Sequence, residues 1–168
     1  MYGTPHAGGV TDLVRGLIMK LTIVAALAAA VLSSPVLAAD KGTPDEAKAL
    51  LAKASAHYKQ VGREAALKDF ADKSGPYVDR DLYLWCMNKA HIITLHTMVP
   101  PLIGKSGETA KDAEGKVFSP QVTDEALAKG VATVDYKFSN PVTKQIEAKT
   151  ALAQKMSDDE VCAVGYYK

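Results

Sequence analysis

Two apolar runs separated by a short polar break constrain the fold of this chain more than any other feature. Residues 82–87 are apolar and rich in aromatic side chains, and residues 92–95 form a second apolar run. The polar segment between them covers residues 88–91. Two such runs joined by a short polar connection predict a β-hairpin. The second run ends at His96, and a histidine where a sheet opens onto a loop is well placed to contact a ligand.

Capping and periodicity predict a long helix that begins near residue 43. Thr43 is a preferred N-cap, Pro44 suits the first helical turn, and the acidic residues that follow complement the helix dipole. Apolar residues then recur at intervals of three and four and mark one buried face: Ala47, Leu50, Leu51, Ala54 and Tyr58. Gly62 interrupts this pattern, and a second short helix or a bent continuation runs to Phe70.

The rest of the chain predicts a sheet with one further helix. Residues 99–121 are rich in Pro, Gly and polar residues, which predicts a long loop over the sheet. We expect a short helix from Asp124 to Lys129, and strands over residues 130–138, 146–156 and 161–167. A long N-terminal helix packed on an antiparallel sheet is an α+β fold.

The N-terminus predicts export from the cytoplasm. Lys20 precedes an unbroken apolar run over residues 21–32, and small residues then lead to a cleavage site before Ala39 or Asp40. This is the pattern of a cleaved secretory signal peptide, and we interpret residues 1–18 as an upstream extension. An uncleaved membrane anchor is the alternative, although the run is short for a bilayer span. Residues 39–168 are then predicted to form one periplasmic or secreted domain.

Composition and motifs argue against several functional classes. Removing residues 1–38 leaves equal numbers of acidic and basic residues, and the lack of a basic cluster argues against nucleic-acid binding. No second apolar segment follows, so we expect no membrane span after cleavage. Neither a GxSxG nor an HExxH motif occurs, and His91 and His96 are expected on opposite faces of the sheet. We therefore expect no metal, no cofactor and no enzymatic activity.

Five motifs follow one another in order over residues 43–168. The hairpin is followed by Leu-Ile-Gly-Lys at residues 102–105 and by Asp-x-x-Gly-Lys at residues 112–116. Tyr-x-Phe-x-Asn-Pro occupies residues 136–141 with Lys149 after it, and the last strand ends in Gly-Tyr-Tyr. In order and spacing this set resembles the single Cache domain, a PAS-like sensing module of extracytoplasmic proteins.

The resemblance implies a PAS-like fold in which a long N-terminal helix packs on a central antiparallel sheet. The first hairpin strand and the last strand are neighbours at the centre of such a sheet, so Cys86 and Cys162 can form a cross-strand disulfide. An even number of cysteines in an exported chain favours that bond, and two buried free thiols are the alternative. One departure from the family is the turn at residues 88–91, which replaces an acidic, glycine-containing turn and predicts a different turn type.

Several side chains are candidates for binding a small organic acid, as many Cache domains do. His96 can donate to a carboxylate, lysines supply positive charge, and tyrosine hydroxyls donate hydrogen bonds. Aromatic side chains of the first strand provide an apolar wall with a polar edge. The predicted ligand-binding residues are Tyr83, Trp85, His96, Lys105, Tyr136, Lys149 and Tyr166. In the alternative interpretation, Trp85 and Tyr136 are ordinary core residues and Lys105 is simply exposed to solvent.

These observations favour a non-enzymatic protein that senses a small carboxylate-like metabolite between its sheet and the 99–121 loop. The resemblance implies a role in signal transduction, and we expect a separate membrane receptor or kinase as partner because no output domain follows in this sequence. The alternative is a ligand-free scaffold that docks onto another protein, which predicts a filled pocket and an exposed apolar face. An enzyme with a site in the same pocket is a third hypothesis, without a motif to support it.

Overall fold

The computed structural model describes Gly3 and residues 41–168 of the chain. The predicted upstream extension and signal peptide, residues 1–38, therefore lie outside the described residues apart from Gly3. Within residues 41–168, none of the helices has the length and apolarity needed to cross a bilayer. The elements in chain order are α1 (Pro44–Val61), α2 (Arg63–Phe70), β1 (Leu84–Asn88), β2 (Ile93–His96), a 3-10 turn (Pro100–Leu102), α3 (Ser119–Lys129), β3 (Val131–Ser139), β4 (Ile146–Lys155) and β5 (Glu160–Tyr167).

Helix α1 begins where the sequence predicts and is closed by a capping box. The Thr43 hydroxyl accepts a hydrogen bond from the Glu46 N–H at 3.3 Å, and the Glu46 carboxylate accepts one from the Thr43 N–H at 2.7 Å. These two bonds satisfy backbone donors that the first helical turn leaves without partners. The predicted apolar face is buried, and Gly62, at φ 83°, separates α1 from α2.

The five strands form one antiparallel sheet in the order β2-β1-β5-β4-β3. The predicted hairpin is confirmed, with Trp85 opposite His96 across β1 and β2. In its turn, the Asn88 side-chain oxygen accepts hydrogen bonds from the N–H groups of Ala90 and Ile92, at 3.1 and 2.9 Å. His91 adopts a left-handed backbone, φ 56°, a conformation common in tight turns. The α+β, PAS-like fold class is therefore confirmed.

The two cysteines meet at the centre of the sheet. Cys86 of β1 lies directly opposite Cys162 of β5, with their Cα atoms 4.0 Å apart. Both residues are fully buried, and the structure joins them in a disulfide. The bond therefore links the first hairpin to the last strand of the chain.

Each face of the sheet is covered by helices. Because side chains alternate along a strand, Leu84 and Cys86 face α1 and α2, whereas Trp85 and Met87 face α3. Helix α3 differs from the prediction because it begins at Ser119, five residues before the expected start at Asp124. Pro120 lies in its first turn, where a missing N–H costs nothing, so the prolines of this segment do not all belong to the loop.

Candidate functional site

A cavity of about 140 Å³ lies between the α3 face of the sheet and the segment that connects β2 to α3. Strands β1, β2 and β3 provide its floor, while the connecting segment and the start of α3 provide its cover. The residues that line it are Trp85, Met87, Ile93, His96, Leu102, Ala110, Lys111, Phe118, Ser119, Tyr136 and Phe138.

Aromatic rings form most of the cavity wall. Phe118 and Tyr136 stack with ring centroids 3.9 Å apart and an interplanar angle of 15°. Trp85 meets Phe118 edge-on at 6.2 Å, and Phe138 lies 6.0 Å from Tyr136. These contacts join β1, β3 and the start of α3 and hold the wall rigid. Met87 and Ile93 complete the apolar part of the lining.

The indole N–H of Trp85 is the polar group of this wall that is not satisfied. Trp85 is buried, and its Nε1 has no hydrogen-bond partner. Among the described residues, no other buried side-chain nitrogen or oxygen lacks one. Burial raises the pKa of the Tyr136 hydroxyl well above its ordinary value. Buried donors are normally paired, so an unpaired donor at a cavity needs an explanation.

His96 is neutral at the cavity wall near neutral pH. Its Nδ1 accepts a hydrogen bond from the Val99 N–H at 3.1 Å, which leaves Nε2 to carry the proton of the neutral ring. Burial, and secondarily the nearby charge of Lys149, lowers the pKa of His96 to about 4. The ring lies 5.4 Å from Tyr83 and 5.9 Å from Phe138. His96 can therefore donate a hydrogen bond but does not supply positive charge.

Lys149 is fully buried behind this wall. Its Nζ donates to the Tyr167 hydroxyl at 3.1 Å and lies 3.9 Å from the centre of the Tyr83 ring and 4.2 Å from that of Tyr167. Burial lowers the pKa of Lys149 well below its ordinary value, and the Asp81 carboxylate opposes that shift. A Cβ placed on Gly165 would lie 2.1 Å from the Lys149 Cε. The Lys149 side chain therefore runs from β4 over β5 at the position where β5 has no side chain.

A buried polar pair anchors the end of β3 beside this lysine. The Asp81 carboxylate accepts hydrogen bonds from the Gly42 N–H at 2.8 Å and from the Asn140 side-chain amide at 3.2 Å. The Asn140 side-chain oxygen accepts from the Val142 N–H at 2.8 Å and so closes the turn after β3. The Asn-Pro motif therefore has a structural role in fixing the strand that carries Tyr136 and Phe138.

Asp112 fastens the cover of the cavity to the sheet. One carboxylate oxygen accepts from the N–H groups of Glu114 and Lys116, both at 2.9 Å, and the other accepts from the Lys137 N–H of β3, also at 2.9 Å. The main cause of its lowered pKa is the bond from Lys137. Residues 111–117, which we call the lid hairpin, are thereby held against the edge of the sheet.

The structure brings some of the predicted ligand-binding residues together and separates others. Trp85, His96 and Tyr136 line the cavity, while Tyr83 and Lys149 lie behind His96 without lining it. Lys105 is exposed, away from the lining.

Tyr166 packs on the opposite face of the sheet, against the cluster under α1 and α2. The tyrosine that meets Lys149 is its neighbour Tyr167, which lies opposite Lys149 in the pairing of β4 and β5. A shift of one residue along a strand changes the face, and the register of β5 is not readable from the sequence of that strand alone.

Sequence analysis missed Phe118, Phe138, Lys111 and Ser119 as lining residues. The alternation of Tyr136 and Phe138 along β3 was a usable signal for Phe138, since both positions point to one face. Lys111 and Phe118 lie on the segment between β2 and α3, where no periodicity applies, and Ser119 is the first residue of α3. Within residues 41–168 and Gly3, no group of His, Cys, Asp and Glu side chains is arranged to hold a metal ion.

Comparison with known proteins gives consistent results. The family model described as single Cache domain 2 matches residues 24–164. No curated protein matches the chain in sequence. A crystal structure of a methyl-accepting chemotaxis protein from Vibrio parahaemolyticus RIMD 2210633 is similar, with a TM-score of 0.61, 19% identity, and coverage of 94% of this chain and 97% of that chain.

Two further solved structures share the fold. One is described as the periplasmic sensor domain of a chemotaxis protein, with a TM-score of 0.56, 17% identity, and coverage of 94% and 99% of the two chains. The other is described as giving the structural basis for carboxylic acid recognition by a Cache chemosensory domain, with a TM-score of 0.55, 20% identity, and coverage of 95% and 99% of the two chains. At these identities the similarity shows the fold alone.

Proposed function

The chain belongs to the single Cache domain 2 family, and from this premise we propose that it is a periplasmic, non-enzymatic sensing domain for a small organic acid. The domain comprises residues 39–168 and follows a cleaved signal peptide. It binds its ligand in the cavity under the lid hairpin and acts in signal transduction through a separate membrane protein.

The observation that carries this proposal is an aromatic cavity with an unpaired donor, the Trp85 N–H, in its wall. The Trp85 N–H costs free energy as long as it is buried without a partner, and a ligand oxygen that accepts its hydrogen bond removes that cost. Tyr136 and His96 also line the cavity, so residues with donor groups lie on β3 and β2 as well as on β1.

The size of the cavity restricts the ligand to a few non-hydrogen atoms. A cavity of about 150 Å³ accommodates a molecule the size of benzene, and this one is about 140 Å³. Short carboxylic acids fit this volume, whereas nucleotides and large amino acids do not. Carboxylic acid recognition in a structure of the same fold supports this choice of ligand class.

The proposed location and the absence of catalysis rest on separate support. A disulfide between Cys86 and Cys162 suits an oxidising compartment, and a protein of the same fold is described as a periplasmic sensor domain. The solved relatives of this fold are described as chemotaxis and chemosensory proteins rather than enzymes.

The first test uses the position of Trp85, because it is the single tryptophan of the chain. A ligand that enters the cavity contacts the indole, so we expect small carboxylates to change the intrinsic fluorescence in a saturable manner. The same compounds should raise the unfolding temperature, since a ligand at about 100 times its Kd stabilises the folded state by about 2.7 kcal/mol. If no acid, amino acid or amine in a broad panel changes either signal, the protein-docking hypothesis replaces this one.

The role of the indole donor is tested by Trp85→Phe. The variant keeps an aromatic wall but lacks the N–H, so we expect the Kd for the bound acid to rise about tenfold. The thermal shift measures this change, since the variant has lost its fluorophore. Tyr77→Phe is the matched control, because Tyr77 is a buried aromatic residue under α1 and α2. Equal affinities in both variants and the wild type would contradict the role of the indole.

A further inference from the structure

An acid in this cavity raises the question of its counter-ion. Transfer of a full negative charge out of water is costly, and a cation beside a bound carboxylate offsets more of that cost than neutral donors such as the Trp85 N–H alone. His96 is neutral near neutral pH. Lys149 is buried behind the wall, and Lys105 lies outside the lining. The three positive groups that sequence analysis selected therefore do not meet the cavity as cations.

Of the described residues that line the cavity, one carries an ammonium group: Lys111 of the lid hairpin. We infer that Lys111 is the counter-ion of the ligand carboxylate and selects simple acids over amino acids and amines. This inference rests on the proposed function and adds to it the residue that recognises charge.

Lys111 is available for this role. In the part of the chain that the structure describes, no ion pair or side-chain hydrogen bond engages its Nζ, whereas Lys137 and Lys168, beside the same edge of the sheet, pair with Glu114 and Asp135. Its backbone is well placed, because it pairs with Val117 across the lid hairpin and precedes Asp112, which is bonded to β3. Lys111 therefore combines an exposed side chain with a backbone that is held beside the cavity.

The charge pattern also accounts for the exclusion of amines. Among the described residues, none that lines the cavity carries a carboxylate, so a ligand ammonium would be buried without a partner from residues 41–168. Asp112, the acidic residue next to Lys111 in the sequence, already accepts hydrogen bonds from three backbone N–H groups. An amino acid would therefore gain the contact with Lys111 and incur an unpaired positive charge inside an apolar wall.

The experiment compares three probes of nearly equal size: propionate, propionamide and alanine. Propionamide lacks the negative charge, and alanine adds an ammonium group to the propionate skeleton. Their Kd values are measured by tryptophan fluorescence on the wild-type protein and on Lys111→Gln, Lys105→Gln and Lys48→Gln. Lys48 is an exposed lysine on α1, so its replacement makes the same change in net charge away from the cavity.

We expect the wild type to bind propionate at least about tenfold more tightly than propionamide or alanine. Lys111→Gln should weaken propionate binding by about tenfold and leave propionamide binding unchanged, while Lys105→Gln and Lys48→Gln behave as the wild type. If propionate binds but Lys111→Gln retains full affinity and selectivity, the inference is overturned and the proposed function stands. If none of the probes binds and the wider acid panel also fails, both are overturned.

Discussion

At the scale of single residues, the clearest feature is a buried lysine, Lys149, whose side chain fills the space beside Gly165. The stem of Lys149 passes over Gly165 on the neighbouring strand, and its Nζ ends among the rings of Tyr83 and Tyr167. Cation–π contact and one hydrogen bond offset part of the cost of burying the amine. This arrangement explains why a glycine precedes the final pair of tyrosines.

Gly165→Ala tests this packing. The new methyl group would lie about 2 Å from a carbon of a fully buried side chain, so we expect the free energy of unfolding to fall by about 1–3 kcal/mol. Urea unfolding measures the loss. In a Lys149→Ala background the same substitution should cost less, because the side chain that obstructs it is gone. An equal cost in both backgrounds would show that the two residues are not coupled.

The lining residues of the candidate cavity that sequence analysis selected all lie on strands. Trp85, His96 and Tyr136 were accessible to sequence reasoning because the hairpin and the Tyr-x-Phe motif fix their faces. Lys111 was not, since a lysine in a polar loop has the same local sequence whether it meets a cavity or solvent. Lys149 was selected as a positive charge for the ligand, and its aromatic surroundings were not foreseen because they depend on strand order, which only the fold supplies.

At the scale of elements, His91 connects the cover of the cavity to α3. Its Nε2 lies 2.8 Å from an Asp124 carboxylate oxygen, and its Nδ1 lies 3.3 Å from one of Glu108. Asp124 belongs to α3, and Glu108 to the segment before the lid hairpin. Asp124 first, and Glu108 to a smaller extent, raise the pKa of His91 above its ordinary value.

This contact predicts a pH dependence of stability with a definite sign. Because the pKa of His91 is raised on folding, its contribution is complete below the unfolded value of 6.5 and is lost as pH rises through the folded value. We expect His91→Asn, which tolerates the left-handed backbone, to destabilise the protein at about pH 5.5 and to have little effect at about pH 9. Thermal unfolding at both pH values measures the difference.

Asp124→Asn is the control for this prediction. It removes the main partner of the imidazolium and should reduce the same pH-dependent difference. A His91→Asn effect that is equally large at both pH values would indicate a turn effect rather than a charge effect.

The elements themselves were largely predictable. The capping box of α1, the break at Gly62 and the hairpin follow from local residue chemistry. The start of α3 was missed because the Pro120 that begins the helix resembles the prolines that precede it in the loop. The cover of the cavity was predicted as a loop but not in its contacts, which depend on distant pairs such as Asp112 with Lys137.

At the scale of the whole molecule, the disulfide joins parts of the chain that are far apart in sequence. Cys86 and Cys162 are separated by 76 residues in sequence and lie on β1 and on β5, the central strand of the sheet. A bond that closes so long a loop reduces the freedom of the unfolded chain. The disulfide therefore links the first hairpin to the last strand within the sheet that forms the floor of the cavity.

Removal of this bond predicts a large loss of stability. In the chain-entropy model a loop of this length contributes about 4 kcal/mol, so the Cys86→Ala, Cys162→Ala variant should unfold at a markedly lower urea concentration. Reductant should lower the midpoint of the wild type in the same direction and leave the variant unchanged. A wild type that is insensitive to reductant under unfolding conditions, with a variant of equal stability, would contradict the contribution.

The crossing of Lys149 over Gly165 also restricts how this sequence can change over generations. A side chain at position 165 meets the lysine if it arises first, and loss of the lysine first leaves a void beside Tyr83 and Tyr167. Either substitution alone destabilises the fold, whereas the two together let the new side chain at position 165 fill the space that the lysine leaves. Descendants of this chain are therefore expected to keep both residues or to replace both, which makes the pair a heritable unit although its members lie on separate strands.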